Sequence, residues 1–289
     1  MNEKLKIWQQ MSRDYCKLVV PNRPSHDDCQ NYGLLINQAL KNKKKPRIMV
    51  TGSTPELRSL LFVYTCLYDA QVYCVDFSEN MYKAMTDFIS KKSLREKFVK
   101  ANWLDTKFKD NFFDLVVGDE VICNIPIKDH SKFFQEIKRI LKKDCFWITR
   151  HNVCLPDVNK SQSIVLGVVQ DVIQGRYSLQ TAINYLFISL FYNLVMKSKH
   201  HKLNQSQELK EIKRIYKGLS DKKFEKKVLK QIIHYWEDNW ENISSYSWHV
   251  FSKEKSEEEL KEFFTIKKIL YAHDYITAKN SPIYLLAPR

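Results

Sequence analysis

Two residues that follow short apolar runs, Gly52 and Asp76, have the types and the spacing to bind a nucleoside. Gly52 comes after the run Ile48–Val50, and a glycine lets the backbone approach a ligand where a Cβ atom would collide. The helix expected from Pro55 leaves the N–H groups of its first turn without partners inside the helix. Asp76 ends the next apolar run, where its carboxylate can accept hydrogen bonds from both hydroxyls of a ribose. This spacing favours the binding of a cofactor that contains a nucleoside.

Other charged residues lie where they can act on a substrate. Asp119 and Glu120 follow a later apolar run, and their carboxylates can orient a substrate or cap a helix. His151 ends the last run of this half. An imidazole with a pKa of roughly 6.5 can remove a proton from an acceptor, and a structural histidine is the alternative. Arg23 lies between two prolines, where a guanidinium is pre-organised to bind a carboxylate, unless it is a surface residue beside a helix cap at Ser25.

The segments between these residues alternate between the periods of strands and helices. The predicted helices are Pro55–Asp69, Glu79–Ile89 and Asp129–Leu141, and the predicted strands after the first run are Gln71–Asp76, Phe98–Ala101, Phe113–Val117 and Cys145–Thr149. This alternation predicts an α/β fold with a parallel, doubly wound sheet, which binds ligands at the carboxyl ends of its strands. The candidate residues Gly52, Asp76, Asp119 and His151 all lie at that edge.

Three motifs follow the glycine turn in an order that is typical of one enzyme family. Asp76–Met81 resembles a D-x-S-x-x-M step, Ala101–Trp103 resembles a short acidic or amide motif after strand three, and Phe113–Asp119 resembles an F-D-x-V fourth strand. Residues 46 to 151 thus resemble the class I S-adenosylmethionine-dependent methyltransferases. The Thr-Pro-Glu-Leu sequence after the turn is similar to that of one subgroup.

This resemblance implies S-adenosyl-L-methionine as the cofactor and a Rossmann-like, seven-stranded sheet with an antiparallel C-terminal hairpin. In the family, the glycine turn holds the methionine end, the acidic residue after strand two holds the ribose, and the residues that match Met81 and Asn102 contact the adenine. For Met81, packing in the core is an equal alternative. The residues that we expect to bind the cofactor are Arg23, Gly52, Ser53, Thr54, Pro55, Asp76, Phe77, Met81, Asn102, Trp103 and Asp119, and those that we expect to be catalytic are Asp119, Glu120 and His151.

The turn departs from the family pattern. Its members usually have Gly-x-Gly-x-Gly with an acidic residue two places before the first glycine, whereas this chain has one glycine and Val50 at the acidic position. A phosphate-binding loop would lose successive N–H donors by such a change. Because S-adenosylmethionine has no phosphate, one glycine with the hydroxyl of Ser53 or Thr54 can still hold its methionine end.

The α/β pattern stops after the fifth strand and returns near the C-terminus. Helical periods fill Ile164–Ile173, Leu179–Met196, Gln207–Tyr216 and Lys222–Trp240, and a helix at Glu257–Phe264 precedes strands at Thr265–Tyr271 and Ile283–Leu286. We predict one cofactor-binding domain from residues 46–154 and 252–289, with a helical insertion at 155–251 that covers the substrate site. The resemblance implies that residues 1–45 form an N-terminal helical lid.

The composition restricts the compartment and the partners. The chain has 289 residues, of which 44% are hydrophobic, so it can bury a core. Its seven cysteines form no C-x-x-C pair and no histidine cluster has ligand spacing, so we expect no metal site, no disulfide framework and a reduced, cytoplasmic setting. Met1–Gln10 is too polar for a signal peptide, and Ile183–Met196 is too short to span a membrane.

The net charge of +14 raises the question of a nucleic-acid partner. Between Lys197 and Lys230 there are twelve Lys or Arg residues and four Asp or Glu residues. Such a surface can follow a phosphate backbone, or it is a solvated helical face, which we weight more. Asn124–Ile127 resembles the Asn-Ile-Pro-Tyr motif of RNA adenine dimethylases, but it begins too late after the strand and lacks the aromatic residue.

Three functions fit the sequence. The first is methyl transfer from S-adenosylmethionine to a small-molecule acceptor. The second is a non-methylating reaction of the same cofactor, such as an intramolecular cyclisation that releases methylthioadenosine. The third is a degenerate fold that serves as a binding module for RNA, and an RNA-methylating protein is a further alternative. The sequence identifies neither the acceptor nor the oligomeric state.

Overall fold

A computed structural model describes residues 15, 20–89, 95–155, 160–197, 202–220, 222–240, 247–275 and 277–289. The chain divides into two compact units, one that ends at Val153 and resumes at Glu254, and one formed by Cys154–Lys253. Of the predicted N-terminal lid, residues 1–14 and 16–19 lie outside the described residues.

The first unit contains a seven-stranded sheet. Its strands are β1 (Arg47–Thr51), β2 (Gln71–Asp76), β3 (Glu96–Lys100), β4 (Phe113–Asp119), β5 (Leu141–Arg150), β8 (Phe264–Leu270) and β9 (Ile283–Pro288), in the spatial order β3-β2-β1-β4-β5-β9-β8. The first five are parallel, and β9 is antiparallel to both β5 and β8. The predicted α/β, Rossmann-like sheet with an antiparallel C-terminal hairpin is confirmed.

The helices of this unit are α1 (His26–Ala39), α2 (Pro55–Tyr68), α3 (Glu79–Thr86), α4 (His130–Ile140) and α9 (Lys253–Phe263). Ser25 and Asp28 form a capping box at the start of α1, in which each side chain accepts the other residue's backbone N–H. Pro55 is the first residue of α2, where its missing N–H costs no hydrogen bond. Asp69 ends that helix in the left-handed conformation, at φ 57°.

The core lies on both faces of the sheet because successive strand residues point to opposite sides. Met49, Val116 and Trp147 pack with α4 and α9, whereas Ile48 and Leu115 pack with α1 and α2. Tyr32, Leu35 and Ile36 of α1 are completely buried in the second layer. The described part of the predicted lid is therefore a core helix that packs on the sheet, because one face of α1 is apolar.

Several boundaries differ from the predictions. Strand β5 begins at Leu141 rather than Cys145, because Leu141 pairs with Phe113 before the register shifts. The polar Lys142, Lys143 and Asp144 hide this start in the sequence, and Asp144 adopts a φ of 57°. Helix α3 ends at Thr86, three residues before the predicted end.

The second unit is mainly helical. It consists of α5 (Ser161–Ile173), α6 (Leu179–Lys197), α7 (Gln205–Lys217) and α8 (Lys223–Trp240), with two short antiparallel strands, β6 (Lys202–Asn204) and β7 (Ser247–His249), that the sequence did not predict. Its core is built from apolar faces of all four helices. Among the described residues, no helix combines the length and the apolar character that crossing a membrane requires.

Candidate active site

The turn between β1 and α2 is built around Gly52, which has a φ of 87°. Its N–H donates to the carbonyl of Val75 at 2.9 Å, which joins the turn to β2. A Cβ atom at Gly52 would lie 3.6 Å from the indole of Trp103. The positive φ therefore explains the glycine at this position, since L side chains rarely adopt that conformation.

Asp76, at the carboxyl end of β2, is held by residues on both sides. The hydroxyl of Ser53 donates to Asp76 Oδ2 at 3.0 Å, and the N–H of Ser78 donates to Oδ1 at 2.9 Å. Ser78 also accepts the N–H of Met81 and so caps α3. The predicted turn residue Ser53 and the predicted ribose ligand Asp76 thus contact each other directly. Thr54 and Phe77 lie in the same two loops, and Pro55 begins α2 directly after Thr54.

Trp103 and Asn102 follow β3 at the same edge of the sheet. The indole Nε1 of Trp103 donates to the carbonyl of Val75 at 2.8 Å, so the ring lies beside the glycine turn. Asn102 is exposed, and its side-chain oxygen accepts the N–H of Leu104 at 3.0 Å. Trp103 therefore borders the Gly52 turn, and Asn102 precedes it in the loop after β3.

Met81 and Arg23 both contact other residues of the protein, and for Met81 this is the packing that we gave as an alternative. Met81 packs with Tyr15 and Met85 in a small buried cluster. The hydroxyl of Tyr15 donates to Glu56 at 2.9 Å, and Arg23 Nε donates to the other oxygen of Glu56 at 2.7 Å. The carboxylate that Arg23 contacts in this structure is therefore that of Glu56, in the first turn of α2.

A buried arginine that the sequence did not single out organises the end of β5. Arg150 is completely buried, and its Nε and Nη2 donate to the two oxygens of Asp119 at 2.7 and 3.1 Å. Its Nη1 donates to Asp28 of α1 at 3.0 Å, and Nη2 also donates to the carbonyl of Pro21 at 2.8 Å. The side chain of Asp119 is 6% exposed. Asp119, which we expected to bind cofactor or substrate, has both carboxylate oxygens bonded to Arg150.

Tyr32 of α1 forms hydrogen bonds to the ends of both β4 and β5. Its hydroxyl donates to the carbonyl of Gly118 at 2.7 Å and accepts the N–H of Arg150 at 3.0 Å. Gly118 itself packs tightly, because a Cβ atom there would overlap the side chains of Thr51 and Val121. The ends of β1, β4 and β5 are therefore held in fixed positions at the switch point of the sheet, where α/β folds bind ligands.

Of the three described carboxylates around Arg150, Glu120 is the most exposed, at 16% of its side chain. Its φ is 49°, and its Oε1 lies 3.2 Å from Arg150 Nη2, an ion pair without hydrogen-bond geometry. Burial raises the pKa of Glu120 to about 7, while Arg150 and a hydrogen bond from Asn152 act in the opposite direction. A carboxyl with this pKa can exchange a proton at neutral pH.

His151 lies away from these carboxylates. Its side chain is buried, with Nε2 3.3 Å from Ser256 Oγ of α9, and Nδ1 has no hydrogen-bond partner among the described residues. Burial lowers the pKa of His151 to about 3, so the imidazole is neutral and a weak base. Both the burial and the low pKa argue against the predicted role of His151 as the catalytic base. In the described ranges, no cluster of His, Cys, Asp and Glu could hold a metal ion.

One comparison with known proteins matches the part of the chain that contains Asp76, Trp103 and Glu120. Residues 55–149, about a third of the chain, match the model of a family described as "Methyltransferase domain". None of the curated proteins matches the sequence.

Solved structures share the fold at low identity. The chain is similar to a Rhodobacter sphaeroides protein named for zinc-dependent alcohol dehydrogenases, with 14% identity, full coverage of both chains and a TM-score of 0.56. It is similar to the PH0226 protein from Pyrococcus horikoshii OT3, with 18% identity, 94% of this chain and 97% of that chain covered, and a TM-score of 0.50. A further match is the N-methyltransferase NodS from Bradyrhizobium japonicum WM9 in complex with S-adenosyl-L-homocysteine, with 8% identity, 98% of each chain covered and a TM-score of 0.49.

The family match and the arrangement of the sheet both agree with the resemblance drawn from the sequence. The matched residues contain α2, β2, α3, β3, β4, α4 and nearly all of β5, and the full sheet has the seven strands and the antiparallel hairpin that the methyltransferase resemblance implied. Residues 55–149 therefore resemble a methyltransferase domain in sequence, and they lie in a Rossmann-like α/β sheet.

Proposed function

We propose that this chain transfers the methyl group of S-adenosylmethionine to a small-molecule acceptor that carries an amine. The observation that carries the proposal is that Ser53 fixes the carboxylate of Asp76 beside the Gly52 turn. Glu120 stands at the end of β4 on the same edge of the sheet. The loops that would bind the nucleoside and a titratable carboxyl thus lie at the same edge of the sheet.

The loops at this edge of the sheet would each contact a different part of the cofactor. The carboxylate of Asp76 would accept the ribose hydroxyls, and Trp103 and Asn102 would border the adenine. The turn from Gly52 to Pro55 would face the methionine end with the N–H groups that begin α2. Phe77 would line the sugar side.

The bound cofactor supplies a methyl group made electrophilic by its sulfonium. The task of the protein is to align the acceptor with that methyl group and to exclude water. In this proposal, Glu120 removes the proton of a protonated amine so that its lone pair can attack. Arg150 and Asp119 do not touch the acceptor, but they hold Glu120 in place.

The charges around Arg150 support a cationic acceptor. One guanidinium faces three carboxylates, those of Asp28, Asp119 and Glu120. An excess of buried negative charge is unfavourable unless a proton or a ligand cation compensates it. A protonated amine beside Glu120 provides that compensation and is also the group from which a proton must be removed.

Calorimetric titration with S-adenosylhomocysteine tests the cofactor site. We expect binding by the wild-type chain and a loss of at least about tenfold in affinity for Asp76→Ala, because a charged hydrogen-bond acceptor is removed. Asp87→Ala, which removes an exposed carboxylate just after α3, is the control and should bind like the wild type. Absence of wild-type binding at millimolar ligand would refute the proposal.

Product analysis separates methyl transfer from the alternative chemistry. Incubation with S-adenosylmethionine and a library of amines should yield S-adenosylhomocysteine only when an acceptor is present. Release of methylthioadenosine from the cofactor alone would instead identify the non-methylating reaction. The prediction that the helical insertion covers the acceptor stays a prediction.

A further inference from the structure

The start of α8 and the turn before it carry a cluster of exposed lysines around one exposed ring. We call this the α8 lysine surface, and it consists of Lys217, Lys222, Lys223, Phe224, Lys227 and Lys230. Lys223, Lys227 and Lys230 recur at helical spacing, so they lie in one row along α8. The row is about 10 Å long, at the rise of an α-helix.

The lysines of this surface take no part in the ion pairs of the described residues. In the part of the chain that the structure describes, none of its five lysines has a carboxylate within ion-pair distance. The neighbouring helix α7 differs, because its Lys213 pairs with Glu237 of α8 and its Arg214 pairs with Glu211. The positive field is therefore concentrated at one end of the α7–α8 hairpin.

Phe224 adds an aromatic ring to this field. It is 71% exposed, which is the highest value among the large hydrophobic residues that the structure describes. Next to it, the ammonium of Lys226 lies over the ring of Tyr216, 5.9 Å from its centroid, and can donate to the carbonyl of Ser220. The apolar face of α8 is occupied by the core through Val228, Leu229 and Ile232. Phe224 is thus left outside the packed part of the helix.

We propose that the α8 lysine surface binds single-stranded nucleic acid. A row of lysines can contact successive phosphates, and a single exposed ring can stack on a base. An anionic membrane is a poorer fit, because insertion needs a broad apolar face and that of α8 is buried in the helical unit. A duplex is also a poorer fit, because its bases are stacked on each other and present no free face to Phe224.

Fluorescence anisotropy with a labelled oligouridine and its deoxy counterpart tests this surface in the full chain. We expect binding at low salt, with an affinity that falls as salt rises. The triple change Lys223→Gln/Lys227→Gln/Lys230→Gln should weaken binding and lower the log–log salt slope by about 0.7 for each phosphate that is no longer neutralised. Phe224→Ala should weaken binding about fivefold or more with the slope unchanged, because stacking is not ionic.

Matched variants in the first unit control for net charge and for apolar area. Lys109→Gln/Lys128→Gln/Lys132→Gln removes three exposed lysines there, and Leu67→Ala removes a residue that is 69% exposed. Both should bind like the wild type. Equal weakening by the two triple variants, or a dissociation constant above about 100 µM at low salt, would overturn the proposal. Binding to anionic vesicles that requires Phe224, without binding to either oligonucleotide, would also overturn it and would assign the surface to membranes.

Discussion

Arg150 and Asp119 meet through two hydrogen bonds, in which both oxygens of the carboxylate accept from one guanidinium. The pair joins the end of β5 to the end of β4, and Asp28 extends it to α1. Because the guanidinium is fully buried, its hydrogen bonds must come from the protein or from a ligand. The pair therefore fixes the loop that carries Glu120.

Removing this cation should lower the stability of the chain. Arg150→Met leaves buried carboxylates without their counter-charge, and we expect a loss of about 3–5 kcal/mol in the free energy of unfolding, measured with urea. Arg214→Met, which breaks an exposed pair with Glu211, should cause little or no change. Equal stability of the two variants would show that the buried network contributes nothing.

Glu120 should set the pH dependence of the proposed methyl transfer. Its pKa is raised to about 7 by burial, and the charged groups that face it are Arg150, Asp119 and Asp28. Since only the ionised carboxylate can accept a proton, the rate should fall about tenfold per pH unit below pH 7 and level off above it.

The matching variant is Glu120→Gln, which cannot accept the proton. We expect a rate at least about 100-fold lower at pH 8 and no break near pH 7. Glu79→Gln changes an exposed carboxylate at the start of α3 and should keep the wild-type profile. A wild-type profile in Glu120→Gln would exclude the role of base.

His151 should affect acid stability rather than catalysis. Its pKa is lowered to about 3 in the folded chain, against roughly 6.5 when unfolded, so the unfolded state binds the proton more readily. Its contribution to stability is therefore complete above pH 6.5 and is lost as the pH falls, by about 2 kcal/mol at pH 5. His151→Gln should weaken this acid dependence and keep the methylation rate at pH 8, whereas His273→Gln, at an exposed position, should change neither. A large loss of rate in His151→Gln would restore the role of base.

The local elements could be predicted where the sequence itself marks their ends. Strand β2 was predicted with its correct bounds because an apolar run stops at a carboxylate, and α2 begins at Pro55 as predicted. The predicted start of β5 was too late, since its first residues are polar and their pairing with β4 depends on a register shift. The strands β6 and β7 have three residues each, too few to show a period.

The candidate site could be predicted in position but not in its contacts. The motifs place Asp76, Trp103 and Glu120 at one edge of the sheet, as the structure has them. Arg150 was missed because its partner Asp28 is 122 residues away in the chain. A charged residue at the end of an otherwise buried strand was the one available signal.

Two glycines should respond in opposite ways to the same substitution. A Cβ atom at Gly118 would overlap Thr51 and Val121, so Gly118→Ala must displace strands β1 and β4 and should cost about 1–3 kcal/mol of stability. Gly167 lies inside α5 with no described atom within 4 Å of the new methyl group, so Gly167→Ala should stabilise the chain by about 0.5–1 kcal/mol. Thermal unfolding measures both, and a stabilising Gly118→Ala would contradict the close packing of β4 on β1.

Glu208 should lower the stability of the helical unit as the pH rises. Its carboxyl is completely buried in α7, and neither oxygen has a hydrogen-bond partner among the residues that the structure describes. Burial raises the pKa of Glu208 well above its ordinary value, so the folded chain holds a proton that the unfolded chain releases above about pH 4.3. Stability is then greatest below that pH and decreases as the pH rises. Glu208→Met removes both the orphaned oxygens and the proton, so it should stabilise the chain at pH 8 by about 1–3 kcal/mol and abolish this decrease. Glu237→Gln, at a half-exposed position on α8, should keep the wild-type pH dependence, and the same dependence in Glu208→Met would mean that the carboxyl finds a partner in solution.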